Sequence, residues 1–397
     1  MLFRSHFCYS NPAARKLLVD FCVEYVQKKP SVDFLHVWLA DAKDNQCECD
    51  ECVKLTPSDH YVQLLNEIDE ALTAIGSKTR LVFILYVDTV RPPEKLRLKN
   101  PNRFTILAAI GLHYEKGYTN EPYPGPVPPF VRNQFTPPDN RLRLQWHREW
   151  KALCGDLPSI IFEYRFYTDM YCDPGYMRVA RETHRDMKAL ESVSFQGCMS
   201  DQTHRMYLPT SLPLVMMGQT LFDKKLDFEA FCDDYFAAGF GEDGGLCRGY
   251  LETLSDLFCP GNIRTGGKSG VEEDGLATGG DKPRIWLDNP EVAEKTAKIP
   301  AVLQAFLPVI RKNMALEDPC HRKSWVNLMY HWHLCDHLSK VIHLGAIGQL
   351  EQAQTEFDKL ELYLSRNESQ IHSDFDLFLF CRAYRSKLNM PLYPYYD

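Results

Sequence analysis

The chain has 397 residues, 45% of them hydrophobic and 25% charged, with a formal net charge of −8. That length suits two domains or one large barrel with an appendage, and the acidic balance excludes the basic stripes with which a protein meets nucleic-acid phosphate. No apolar run reaches the ~20 residues of a membrane span, and Met1-Leu2-Phe3-Arg4-Ser5 lacks the apolar core of a secretory leader, so a cytoplasmic location is expected.

Asn11-Pro12 opens a helix, with Asn as N-cap and Pro at the first helical position. Its apolar residues are Leu17, Leu18, Phe21 and Tyr25, and Pro30 stops it. Residues 32–40 (VDFLHVWLA) read as a strand carrying Trp38 and ending at Asp41. A Cys-rich polar loop follows, and Ser58 or Asp59 caps a helix with Val62, Leu65, Ile68 and Leu72 on one face, closed by Gly76. Strands are then predicted over 80–89, 104–113, 159–166 and 193–201, with helices over 142–153, 175–190 and 212–222. Beyond 224 the pattern is helical: 228–238, 245–258, 291–312, 322–344 and 347–366. A Gly-rich polar stretch over 260–284 reads as a flexible loop.

Strands alternating with helices specify a parallel sheet covered by helices. The strands end in groups that bind hydroxyls or move protons: Asp41, Tyr86 with Asp88, His113, Glu163 with Tyr164 and Arg165, and Asp201 with Gln202. A barrel builds its active site at such ends. A doubly wound sheet would bind at one switch point instead, and no G-x-G-x-x-G or phosphate loop supports a nucleotide. The expectation is an α/β fold of the (β/α)8 TIM-barrel type over 1–223, followed by a C-terminal helical region over 224–397. Only five strands are visible where eight close a barrel, so the first strands are expected to be missing from this chain.

Glu163 sits inside an apolar run, where desolvation would raise its pKa toward that of a general acid. Arg165 shares its face if the strand is regular, and a Glu163–Arg165 ion pair is the competing reading. Asp41 and Asp44, beside Asn45, are the candidate second carboxylates. Local capping by Asp and Asn is the alternative there. Trp38, Asn45, Tyr86, Asp88, His113, Tyr164, Arg165, Asp201 and Gln202 are candidate sugar-binding residues. Cys47-x-Cys49-x-x-Cys52, with His60 or another cysteine as fourth ligand, admits a structural zinc, against a disulfide or simple packing. Most of the other cysteines, such as Cys22 and Cys381, lie in apolar segments and point to a reducing compartment. His331, His333, His337 and His343 lie on one predicted helix without the H-E-x-x-H form and read as helix-face residues.

The runs LHVWLADAKDNQCECDECV, SDHYVQLLNEI, LYVDTVRPPE, IIFEYRF and GCMSDQTHR resemble a bacterial family, domain of unknown function 4838. FEAFCDDYFAAGFGEDGG resembles its helical tail, and the resemblance covers about 1–255. It implies a β-rich domain and the first barrel strands upstream. It also implies kinship with glycoside hydrolases, including endo-β-N-acetylglucosaminidases related to the hexosaminidase superfamily. A retaining enzyme, with the substrate's acetamido group as internal nucleophile, would follow from that kinship. The site residues above rest on strand ends and not on the family.

The expected function is therefore hydrolysis of a glycosidic bond by two carboxylates on a carbohydrate substrate, with no cofactor required and neither nucleic acid nor membrane as partner. The rival is a non-catalytic carbohydrate-binding protein on a truncated barrel. A metal-dependent hydrolase is third, and it would need metal at the cysteines or at strand-end Asp and His residues.

Overall fold

The computed structural model describes residues 6–111, 116–134, 139–167, 169–202, 205–264 and 286–392. Its sheet has five strands in the order β1 (Phe34–Val37), β2 (Arg80–Tyr86), β3 (Phe104–Ala109), β4 (Ser159–Phe166) and β5 (Gly197–Gln202). The first three pairings are parallel. A complete eight-stranded barrel is not formed by the described residues: the sheet is a curled half-barrel.

The chain makes two compact units, which divide within β4 and again within β5. Unit 1 comprises 1–163 and 189–199, and unit 2 comprises 164–188 and 200–397.

In unit 1 the pairing register sorts the strand residues by face. Leu35 pairs with Leu81, Phe83 with Ile106, and Ile106 with Ser159, so these share one face. Helices cover that face. They are α2 (Pro57–Ala74) and α3 (Asn140–Leu153), and α1 (Pro12–Lys28) packs on α2. Phe83 meets the rings of Tyr61 on α2 and Trp150 on α3 at 5.8 and 5.6 Å. The opposite, open face carries His36, Val82, Ile84, Tyr86, Leu107, Ile160 and Phe162 by the same register.

The open face is concave. Trp38, just past β1, meets Phe162 of β4 edge to face at 5.9 Å. In a flat sheet, β1 and β4 would stand about 14 Å apart at the usual strand spacing.

α2 is the best-anchored helix of unit 1. Thr56 and Asp59 form a capping box, with Pro57 at the first position. Asp59, fully buried, also accepts the backbone N–H groups of Lys95 and Leu96 at 2.8 Å each. The Tyr61 hydroxyl donates to Val37 O and accepts from Ile84 N. The last carbonyl of β1 is thereby taken by a side chain, which explains why the strand stops at Val37 and leaves 38–40 outside the ladder. α1 buries Arg15, Cys22 and Val26, whereas Leu17 and Phe21, on the face expected to pack, are 72% and 63% exposed.

In unit 2, α4 (Met177–Ala189), α5 (Leu212–Phe222), α6 (Phe228–Phe240), α7 (Gly244–Leu257) and α8 (Pro260–Arg264) lead to a second helical group. This group is α9 (Pro290–Thr296), α10 (Ile299–Asn313), α11 (Pro319–Ala346), α12 (Leu350–Ile371) and α13 (Leu377–Lys387). The helix expected over 291–312 is two helices, because Pro300 withholds the N–H that a continuous helix needs. α13 lies beyond the helices the sequence predicts, yet it buries Phe380, Cys381 and Tyr384. Indole N–H groups of Trp325 and Trp332 cap Phe240 O and Leu303 O at 2.9 and 2.8 Å. The α11 histidines have separate partners: His331 bonds Pro174 O at 2.7 Å, His337 bonds Glu356 at 2.8 Å, and His343 bonds Ala293 O at 3.1 Å. His333 packs on Trp332 and Tyr363. Most of the Gly-rich stretch lies outside the described residues.

Candidate active-site cleft and cysteine cluster

Where β1 and β2 end, in unit 1, a small cleft is lined by His6, Ala40, Ala42, Gln46, Tyr86 and Asp88. Its floor is set by two turns. After β1 the chain folds back, with Ala42 N–H on Ala40 O at 2.8 Å, and Asp44 takes a left-handed conformation (φ 54°) that Asp tolerates. After β2, Thr89 closes a one-turn 3-10 helix (Val87–Thr89). Its hydroxyl accepts Tyr86 N–H at 3.0 Å, and its carbonyl accepts the Trp150 indole N–H at 3.1 Å. Val87 has φ 44°, a strained value for a β-branched residue. It stands between Tyr86 and Asp88, the two cleft side chains this turn presents.

Three acidic residues belong to this region. Asp41 is exposed and accepts the Tyr86 hydroxyl at 3.1 Å. Asp88 accepts from the Gln46 amide at 2.9 Å. Burial pushes the Asp88 carboxyl above its ordinary value and the charge of Asp44 adds to this, while the Gln46 bond, His6 and the Asp44 backbone act against it. The His6 imidazole is pushed down by burial, opposed by its bond to Ala42 O. Trp38 is 48% exposed and Asn45 is exposed. Gln46 is itself buried and clamped by Asn133, which accepts Gln46 N–H at 2.7 Å and donates to Gln46 O at 3.1 Å.

The structure corrects the placement of Glu163. Ser159 and Ile161 are on the helix-covered face by register, and side chains alternate along a strand, so Glu163 and Arg165 point there too. Both are 1% exposed. Glu163 therefore points away from the cleft. Arg165 is an ion-pair member: it donates to Asp186 of α4 at 2.9 Å and to Thr183 at 3.2 Å. Tyr164, between them, is half-buried and points the other way. Asp201 and Gln202 are half-buried at the end of β5, in unit 2, and burial raises the Asp201 carboxyl. His113 lies outside the described residues.

The sequence reading missed His6 and Gln46. Neither sits at a strand end, and nothing in the local pattern marks them; Gln46 reaches the cleft from the loop after β1, and His6 from the segment ahead of α1, bonded to Ala42 O.

Cys47, Cys49 and Cys52 do come together, and a fourth sulfur joins them from Cys8, upstream of α1. All four Sγ atoms lie within 4.8 Å of one another. His60, the other candidate for fourth ligand, instead places Nε2 on Cys52 O at 3.0 Å. Among the described residues this is the group of three or more Cys, His, Asp or Glu side chains with metal-binding geometry. All 14 cysteines are free thiols.

The fold and the cleft define an α/β half-barrel with polar side chains gathered at its strand ends. Its family is shown by sequence: the model of a domain of unknown function (DUF4838) matches residues 3–252, and the chain belongs to that family. No curated protein matches the chain. Among solved structures, it is similar to a GH138 enzyme targeting pectin rhamnogalacturonan II. The TM-score is 0.50 at 10% sequence identity, over 91% of this chain and 47% of that one. The chain thus spans about half the length of that enzyme.

Proposed function

We propose that this chain hydrolyses a glycosidic bond at the cleft where β1 and β2 end. The observation that carries the reading is the Asp88 carboxyl in the cleft lining, with Asp41 joined to the neighbouring Tyr86. Asp88 is half-buried, with its proton affinity raised, and Asp41 is exposed and held by Tyr86. A carboxyl whose proton affinity is raised by burial suits a general acid. Asp88 takes the acid role and gives its proton to the leaving glycosidic oxygen as the C–O bond breaks. Asp41, or Asp44 beside it, supplies the carboxylate that attacks the anomeric carbon or orients an acetamido oxygen that does. Water then completes the hydrolysis and returns the proton to Asp88. The exposed Trp38 offers a ring face to a sugar, and Asn45 and Gln46 offer amides to its hydroxyls. All these roles fall to residues of unit 1.

N-acetylhexosamine-containing glycans are the substrate class implied by the family resemblance, and the likeness to a pectin-targeting enzyme supports the broader class of plant and microbial polysaccharides. A non-catalytic carbohydrate-binding protein is the second reading. The exposure of Trp38 and Asn45 favours it, since a platform and an amide suffice for binding alone.

The test is turnover of aryl glycosides, led by the N-acetyl-β-glucosaminide and including galacturonides and rhamnosides, together with rhamnogalacturonan II and an N-glycan. Wild type, Asp88→Asn and Glu163→Gln are compared. Loss of an acid at this position should cost roughly 10²–10⁴-fold in rate, with Glu163→Gln keeping the wild-type rate per folded molecule. The reverse pattern overturns the assignment. Binding of a glycan with no turnover of any substrate supports the second reading.

A further inference from the structure

We propose that Cys8, Cys47, Cys49 and Cys52 bind one zinc ion as a closed tetrathiolate that staples the segment ahead of α1 to the loop after β1. The argument begins with sulfur spacing. Cys8 Sγ lies 3.7 Å from both Cys49 Sγ and Cys52 Sγ. A disulfide would require about 2.05 Å. Four sulfurs around zinc at about 2.3 Å form a tetrahedron with edges of about 3.8 Å. The thiols thus stand where a tetrahedral ion would hold them.

The surroundings suit thiolates. Ser10 N–H points at Cys52 Sγ at 3.4 Å, and Cys52 N–H points at Cys49 Sγ at 3.5 Å. The Ser10 hydroxyl is within 3.2 Å of Cys8 Sγ and Cys52 Sγ. Such outer hydrogen bonds orient metal-bound sulfur and spread its charge. Four thiols binding zinc release four protons, leaving a complex of net charge −2. The Arg132 guanidinium, bonded to Cys52 O at 3.0 Å, lies against this loop and offsets that charge. All four positions are filled by protein, so the ion has no site for water or substrate and its role is structural.

The consequence is local order. Cys8 immediately precedes the α1 cap, and the other three ligands immediately follow Asp41, Asp44 and Gln46. Binding the ion fixes both ends of the chain segments that present those residues.

The experiment is metal analysis of the full chain, purified without a metal-affinity resin. One zinc per chain is expected, together with release of that zinc when an organomercurial blocks the thiols. Cobalt substitution should give the sulfur-to-metal charge-transfer band and the intense visible bands of a tetrahedral tetrathiolate. Cys8→Ser should lower zinc affinity, whereas Cys320→Ser, at an exposed position on α11, should retain the ion. If Cys8→Ser does not fold, the cobalt spectrum of wild type decides alone. Sub-stoichiometric zinc with no cobalt thiolate band overturns the proposal. So do two disulfides by mass within this cluster, or stoichiometric iron in place of zinc.

Discussion

The Tyr86 hydroxyl donates to Asp41 Oδ1 at 3.1 Å, joining the end of β2 to the loop after β1. A hydrogen bond to a carboxylate contributes about 1.5–3 kcal/mol. Tyr86→Phe removes that donor and keeps the ring. We expect a fall of roughly 10–100-fold in kcat/KM on the substrate class identified by the panel, with a loss of stability no larger than that one bond accounts for. An unchanged rate would show that Asp41 is not held for catalysis.

The buried pair Arg165–Asp186 predicts stability rather than activity. Its side chains are 2% and 0% exposed. Asp186→Ala removes the buried carboxylate that serves both Arg165 and Arg185, and breaking such a pair costs roughly 3–5 kcal/mol. Chemical denaturation should show this loss, and a loss under about 1 kcal/mol would mean that water or another acid replaces Asp186.

Two buried histidines set a pH dependence. Burial lowers His147 from 6.5 to about 3, with Lys151 and Arg148 adding to it, and burial lowers His331 to about 4 against its bond to Pro174 O. Both stay neutral when folded and protonate near 6.5 when unfolded. Their contribution is therefore complete above about 6.5 and is lost as pH falls toward 4 and 3. Each costs roughly 1.4 kcal/mol per pH unit within its window. Denaturant titrations above and below the ordinary histidine pKa should show this slope, to which the other burial-lowered histidines also add, and His147→Gln should shrink it. An equal slope in wild type and variant would exclude His147 as its source.

Val87 predicts a substitution that costs little. At φ 44° its β-branched side chain is strained by about 1–2 kcal/mol. Val87→Gly removes that strain and adds about 1 kcal/mol of unfolded-state entropy. Calorimetry should find a thermal midpoint equal to wild type or higher. A marked drop would show that packing of the Val87 side chain outweighs its backbone strain.

The sequence reading located β4 to the residue, because SIIFEYRF is a mostly apolar run bounded by a Pro. It overran β1 by two residues at its start and three at its end, the latter because the terminator is a tyrosine hydroxyl from α2 and no local pattern announces it. Side-chain alternation along a strand also placed Glu163 and Arg165 on one face correctly. Which face borders the cleft depends on the pairing of Ile106 with Ser159, and pairing is a tertiary fact. Three of the four clustered sulfurs were legible as C-x-C-x-x-C. Cys8 was not, since only the packing of α1 brings it back to that loop.

Trp38 gives the cleft an optical handle. It is 48% exposed, while Trp146, Trp150, Trp286, Trp325 and Trp332 are all 7% exposed or less. A neutral quencher added to the protein will therefore extinguish essentially one emitter. A saccharide that settles on that ring will shield it, so site occupancy can be read from emission alone, before any bond is cut and even in a variant that cuts none.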